Sequence, residues 1–273
     1  MPIIYGGLGT ATYLIQFNHQ EFRTIKDERL NRQNGNSAVN YISYSSQQLK
    51  LIQNESLISR ARNGFVSMFM SNPIYTHLLF LDSDLIFNAE TIIKMILQKK
   101  PIVGASYPKK SLNWNKIKHF SDCEVNELEA RATDMNYNFK YYNKNQVKIE
   151  NGFVEVNDVP TGCMLIDKRA MSIIINKNRD SNYINNCSGY GNSKCFYDLF
   201  KTGVKKINGK KIYLSEDYYF CWLSRECGIE LWLDTQSTLA HIGRYNYVGN
   251  LGLILSDSKG EALDKDNQLF ENL

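Results

Sequence analysis

His77-Leu78-Leu79-Phe80-Leu81-Asp82-Ser83-Asp84-Leu85-Ile86-Phe87 is the stretch from which the rest of the chain is read. From His77 to Leu81 the residues are almost wholly apolar, a run short enough for a strand buried on both faces. The run then delivers Asp82 and Asp84 at its carboxyl end. In an open α/β sheet, ligands bind in the crevice outside the carboxyl ends of the strands, so acids placed there face a cleft rather than a core. In an extended chain, Asp82 and Asp84 lie on one side of the backbone with Ser83 between them, and both address one hard cation or one sugar hydroxyl. Asp-Ser-Asp is also good turn chemistry, and that reading stands beside the first.

Working downstream, Asn88 begins an amphipathic helix over 89–97, and Pro101 to Ala105 reads as another buried strand. Strand, helix, strand in that order predicts a right-handed parallel crossover. Tyr107-Pro108-Lys109-Lys110 then leaves the sheet at the same end as Asp82, where lysines meet phosphate or acceptor. Upstream, apolar residues at 57, 58, 61, 65, 66 and 69 form a helical stripe, with Asn54 or Ser56 as the cap. Arg60 and Asn63 lie off that stripe near the helix start. A guanidinium there holds a diphosphate bidentately, or Arg60 and Arg62 are simply solvated. Nearer the start, Met1 to Tyr5 reads as a strand running into Gly6 and Gly7, followed by a helix over 10–17. Glycines between a strand and a helix let backbone approach a nucleotide, and equally serve any tight turn. Ala38 to Tyr44 alternates well enough for a strand.

Beyond the crossover, 111–148 is polar and rich in Asn and Tyr, without periodicity, and reads as a lid, binding loop or insertion. Strands are expected at 153–156 and 164–166, flanking Pro160-Thr161-Gly162-Cys163. The stretch 178–208 is a second polar candidate binding loop. Ser215 then caps a helix with Glu216 and Asp217 in its first turn, where acids also simply complement the helix dipole. Leu231 to Leu233 reads as a strand, and His241 follows it, either structural or a divalent-metal ligand.

At 273 residues and 43% hydrophobic content, the chain is long enough for one large α/β domain, here placed over 1–250 with a polar tail over 251–273. The net charge of +4 comes from dispersed basic residues, so nucleic acid is not the expected partner. Six cysteines, at 123, 163, 187, 195, 221 and 227, form no CxxC pair and read as reduced thiols; Cys187 and Cys195 alone sit where an oxidising compartment would let them bond. Neither a charged-then-apolar leader nor an apolar run of about 18 residues is found, so a cytoplasmic protein with no membrane span is expected.

Seven segments in order resemble nucleotide-sugar glycosyltransferases of the GT-A fold, and are similar to the group found in large DNA viruses, phages and bacteria. They are 5–7, 55–63, 79–84, 102–110, 160–162, 215–221 and 241–243. The resemblance implies a single-domain, Rossmann-like α/β fold with a mixed, mostly parallel sheet flanked by helices. It also implies a hexosyltransferase-like enzyme using a nucleotide sugar, a UDP-sugar first among them, to glycosylate a glycan or glycoprotein in the cytoplasm, the host's if the chain is viral. In this likeness Asp82 and Asp84 form the DxD pair, and Asp82, Asp84 and His241 hold Mn2+ or Mg2+. Tyr5, Gly6, Arg60, Asn63, Asp82 and Ser83 contact the nucleotide. Asp217, with Glu216, is the carboxylate facing the acceptor. A non-catalytic carbohydrate or nucleotide binding module of the same fold is the alternative, and a nucleotidyltransferase a third.

Overall fold

The computed structural model describes residues 10–15, 47–50, 57–111, 142–143, 146–186, 190, 195–244 and 246–252. Tyr5, Gly6, the strands expected at 1–5 and 38–44, and nearly all of the 111–148 stretch lie outside them. The main sheet is built from β1 (Thr10–Ile15), β2 (Gln47–Lys50), β3 (His77–Asp82), β5 (Ile102–Ala105), β6 (Ile149–Glu150), β7 (Phe153–Val156), β8 (Cys163–Asp167) and β13 (Leu231–Asp234). Its order is β2-β1-β3-β8-β5-β13-β7-β6. Four helices pack on it: α1 (Ile58–Ser71), α2 (Ala89–Leu97), α3 (Lys168–Lys177) and α4 (Glu216–Glu226). A smaller sheet, β15-β14-β4, joins Asn246–Asn250, Thr238–Ile242 and Leu85–Ile86, and two hairpins pair β9 (Asn182–Tyr183) with β10 (Phe196–Tyr197) and β11 (Gly203–Ile207) with β12 (Lys210–Leu214).

The period-2 alternation of the central strands divides the core into two layers. Leu78 and Phe80 of β3, Met164 and Ile166 of β8, and Leu231 and Leu233 of β13 pack with α1, α3 and α4 on one face. Leu79 and Leu81, Cys163 and Leu165, and Trp232 pack with Ile92, Met95 and Ile96 of α2 on the other. The chain is therefore a mixed α/β protein with helices on both faces of its sheet. Leu251 is fully buried in the first layer.

Several expectations are corrected. The sheet is mixed, but β13 with β5 is its one parallel pair among the described strands; the other pairings are antiparallel. β3 and β5 do run the same way, each antiparallel to β8, which lies between them. The crossover through α2 thus skips one place for a strand that arrives some 80 residues later, a pairing no local pattern announces. Thr10–Ile15 is a strand rather than a helix, in keeping with its Thr, Tyr and Ile content. Within the 178–208 stretch, expected as a binding loop, the described residues include strands β9, β10 and β11; Phe196, Leu199 and Phe200 are buried, and Phe200 stacks on Phe220 at 4.1 Å. The N-cap of α1 is Leu57, without a side-chain bond, and the caps expected at Asn54 or Ser56 lie outside the described residues; Asn88 accepts from the Glu90 N–H at 3.1 Å and caps α2 as expected.

Candidate functional site

Strands β3, β5 and β13 end at one edge of the sheet, and the candidate residues gather there. The Asp82 N–H donates to the Gly162 carbonyl at 2.8 Å, tying the end of β3 to the turn before β8. After Asp82 the chain does not stay extended. It turns through Ser83 and Asp84 and re-enters the smaller sheet at β4, where Leu85 stands opposite His241 and the Ile242 N–H donates to the Asp84 carbonyl at 2.7 Å. The turn separates the two carboxylates that strand alternation would have set side by side.

Asp84 faces His241. The imidazole Nδ1 lies 2.8 Å from the Pro108 carbonyl, which only accepts, so Nδ1 carries the proton. The other ring nitrogen, Nε2, stands 3.2 Å from Asp84 Oδ2. That contact is favourable when Nε2 is protonated and donates to the carboxylate, or when the ring is neutral and a cation lies between or beside the two. Lys110 supplies one, its Nζ donating to the same Oδ2 at 2.5 Å. Burial raises the Asp84 carboxyl, but the Lys110 hydrogen bond and the charges of His241 and Lys110 outweigh it and hold the acid below its ordinary range.

Asp82 looks the other way, toward Tyr107 and Gly162. A Cβ placed on Gly162 would lie 2.2 Å from the Tyr107 hydroxyl oxygen and 2.8 Å from Asp82 Oδ2, so only glycine admits both side chains. The Gly162 N–H donates to the Tyr107 hydroxyl at 3.2 Å, and the Tyr107 ring meets His241 edge-on with centroids 5.2 Å apart. Burial, and then the charges of Asp82 and Asp217, push the Tyr107 phenol well above its usual range and keep it neutral. Tyr107 thus lies within electrostatic reach of both Asp82 and Asp217 and in ring contact with His241.

The two acids that open α4 have different surroundings. Glu216 is paired with Arg62 of α1, whose side chain is 5% exposed. Asp217 Oδ1 accepts from the Ser215 hydroxyl and from the Tyr218 N–H, the latter at 2.9 Å, while its Oδ2 has no partner among the described residues. Ser215 is therefore the N-cap by position, but it spends its hydroxyl on Asp217 rather than on a backbone N–H. The sequence reads both carboxylates as acceptor-facing; in the fold one oxygen of Glu216 is taken by the Arg62 guanidinium, and one oxygen of Asp217 by Ser215 and Tyr218.

Asn63 is buried, its Oδ1 accepts from the Leu199 and Phe200 N–H groups at 3.1 and 2.9 Å, and its Nδ2 donates to Asp198 at 3.0 Å. It holds the turn after β10 in place through both of its amide atoms. Arg60 is half-buried on the first turn of α1, and Ser83 is exposed between the two acids.

No family model matches the chain, and no curated protein does. Among solved structures, the chain is similar to the crystal structure of A197 from STIV at 14% identity, over 72% of this chain and 78% of that one, with a TM-score of 0.38.

Among the described residues no group of three His, Cys, Asp or Glu side chains converges as a complete metal cage. Asp84 and His241 form a two-donor pair of oxygen and imidazole nitrogen, with the second ring nitrogen anchored on a backbone carbonyl, donor types that divalent cations accept. Asp82 is directed at Tyr107 and does not complete the set. The residues that sequence reasoning missed are Tyr107 and Arg62. Tyr107 directly precedes Pro108 at the end of a buried strand, a signal that was present; nothing local marks Arg62, which sits two residues from Arg60 and reads the same.

Proposed function

We propose that the chain is a metal-dependent glycosyltransferase of the GT-A kind, moving a sugar from a nucleotide-sugar donor, a UDP-sugar first among them, to a glycan or glycoprotein acceptor. The observation that carries this reading is the Asp84 and His241 pair at the carboxyl end of β3, with Nδ1 of His241 fixed by Pro108 and Nε2 turned to the carboxylate. A divalent cation held by these two residues would stabilise, as a Lewis acid, the negative charge that a departing nucleoside diphosphate develops. Mg2+ and Mn2+ are ordinarily held by one or two protein groups, with substrate phosphates and water completing the shell, so a two-donor site suits a diphosphate substrate.

The remaining roles follow from the side chains. Lys110 offers a second positive charge at the same edge and is free to trade Asp84 for a phosphate oxygen, since it is well exposed. Asp217 accepts the proton of the acceptor hydroxyl if the reaction inverts configuration, and steadies the cationic sugar if it retains it. Ser215 and the Tyr218 N–H fix that carboxylate in one orientation. Neutral Tyr107 offers a hydroxyl within electrostatic reach of both Asp82 and Asp217.

The experiment is release of free nucleotide from a panel of nucleotide sugars with and without manganese, run with the wild type, Asp84→Ala and His241→Ala. Manganese-dependent release from one donor, lost in both variants, is expected, together with loss of Mn2+ binding by calorimetry. Release that survives Asp84→Ala would overturn the metal assignment, and folded wild type inert toward every donor and acceptor offered would overturn the enzyme.

A further inference from the structure

The β11–β12 hairpin carries a chemistry that sugar transfer does not use. Between Asp198 and Glu216 the sequence has no acid and five lysines, at 201, 205, 206, 210 and 211. The strands are joined by Asn208 and Gly209, both with positive φ (49° and 83°), which is the Asn-Gly turn that matches the twist of a tight hairpin. In the observed register Lys206 stands directly opposite Lys211, and Val204 opposite Tyr213. Pairs two residues apart along a ladder share a face, so these four side chains form one surface.

The opposite face of the hairpin is already occupied. Ile207 packs on the main core, and Lys205 lies over the Trp222 and Tyr219 rings of α4 at 4.3 and 4.9 Å from their centroids, with Lys201 over Tyr219 at 5.2 Å. The first face turns outward: Tyr213 is 67% exposed and Val204 59%. Neither Lys206 nor Lys211 has an acidic partner among the described residues. Like charges set directly across a ladder destabilise it, and the chain nonetheless places two there beside an aromatic and a branched aliphatic side chain.

We propose that this outer face docks on an anionic lipid surface. Lysine is a compact, strongly hydrated point charge suited to a diffuse layer of phospholipid headgroups, and tyrosine is the side chain that settles at the membrane and water boundary. Nucleic acid is the less favoured partner, because the hairpin has no arginine to pair bidentately with phosphates or bases and shows one outward ring for stacking. The docking is peripheral and agrees with the finding that no described helix is long and apolar enough to cross a membrane. Tyr213 lies two residues before Ser215, so the docked surface adjoins Asp217, although the proposal does not depend on what Asp217 does.

The test is co-sedimentation of the full chain with phosphatidylcholine vesicles, with and without phosphatidylglycerol, at low and high salt. Binding only to the anionic vesicles, weakened by salt, is expected. The Lys206→Ser/Lys211→Ser variant should lose roughly thirtyfold in vesicle affinity, and Lys206→Glu/Lys211→Glu more. Tyr213→Ser should weaken binding several-fold while leaving its salt dependence intact. Circular dichroism shows that each variant is folded, and the serine pair serves if the glutamate pair is not. No binding, equal binding to neutral vesicles, or unchanged binding by a folded lysine variant would overturn the proposal. Displacement from anionic vesicles by stoichiometric single-stranded RNA would overturn it in favour of a nucleic-acid face.

Discussion

Arg62 and Glu216 form a largely buried ion pair, with the guanidinium 5% and the carboxylate side chain 18% exposed, between residues 154 positions apart, joining α1 to the first turn of α4. The guanidinium Nε has no partner among the described residues, so the pair is the group's main compensation for leaving water. Glu216, once paired, fixes the start of α4 and with it the neighbouring Asp217.

Replacing Arg62 by Met strands the Glu216 carboxylate. A loss of about 3 kcal/mol in unfolding free energy is expected, the low end of what breaking a buried pair costs because Glu216 keeps 18% of its side chain exposed. Urea denaturation at neutral pH measures it. The double variant Arg62→Met/Glu216→Leu should recover most of the loss; if it is as unstable as Arg62→Met alone, the ion pair is not what the single change removed.

Gly162→Ala drives a methyl group into the Tyr107 hydroxyl and the Asp82 carboxylate. Overpacking of this kind costs about 1–3 kcal/mol, seen as a lower melting temperature. Because both displaced groups stand at the candidate site, nucleotide affinity should fall further than stability does. Equal affinity for nucleotide in the two proteins would remove Asp82 and Tyr107 from the binding surface.

Asp217→Asn keeps the volume of the side chain and removes its basicity. Transfer to acceptor should fall by about 10²- to 10⁴-fold with little change in melting temperature if Asp217 takes the acceptor proton. Glu216→Gln should show the opposite pattern, a stability loss through Arg62 with transfer largely retained. The proton NMR signal of the product's anomeric centre then states whether configuration inverts.

Alkaline pH should unfold the protein. Burial pushes the Cys163 thiol up to about 12 from 9.0, and raises Cys221, Tyr218 and Tyr107 as well. Each group stays protonated in the fold where the unfolded chain has released its proton, so stability is intact below the unfolded pKa and falls as pH rises above it. Cys163 alone should remove about 2 kcal/mol by roughly pH 10.5. Denaturation midpoints between about pH 8 and 10.5 test this, and Cys163→Ala should flatten the slope. The described cysteines, Cys163, Cys195, Cys221 and Cys227, are free thiols, three of them buried, so no cross-link masks the effect.

The site was legible in part, and the boundary of legibility has a physical cause. Asp82, Asp84, Asp217 and His241 were singled out from residue type and position at element ends, and the fold brings all four to the carboxyl edge of the sheet. Their grouping was misread. Strand alternation paired Asp82 with Asp84, but Ser83 and Asp84 form the turn that their own chemistry favours, and the turn hands Asp84 to His241 and leaves Asp82 to Tyr107. Arg62 and Asn63 lie on what reads as the polar side of α1, yet both are buried, because β10, the turn after it and α4 cover that side from more than 130 residues away. Asn208-Gly209, at the end of the polar 178–208 stretch, is a two-residue hairpin signal, and β11 and β12 pair around it.

By itself the sequence determined the burial of β3 on both faces, the helix α2 with its Asn88 cap, the strands expected at 101–105, 153–156 and 231–233, and the layered α/β character, because period and cap chemistry are properties of neighbouring residues. Only the tertiary structure decided that β8 lies between β3 and β5, that His241 meets Asp84, that Arg62 neutralises Glu216, and that Tyr107 stands among the acids. Those are pairings across 55 to 157 positions, and their choice depends on which packing of the whole chain satisfies every buried charge at once.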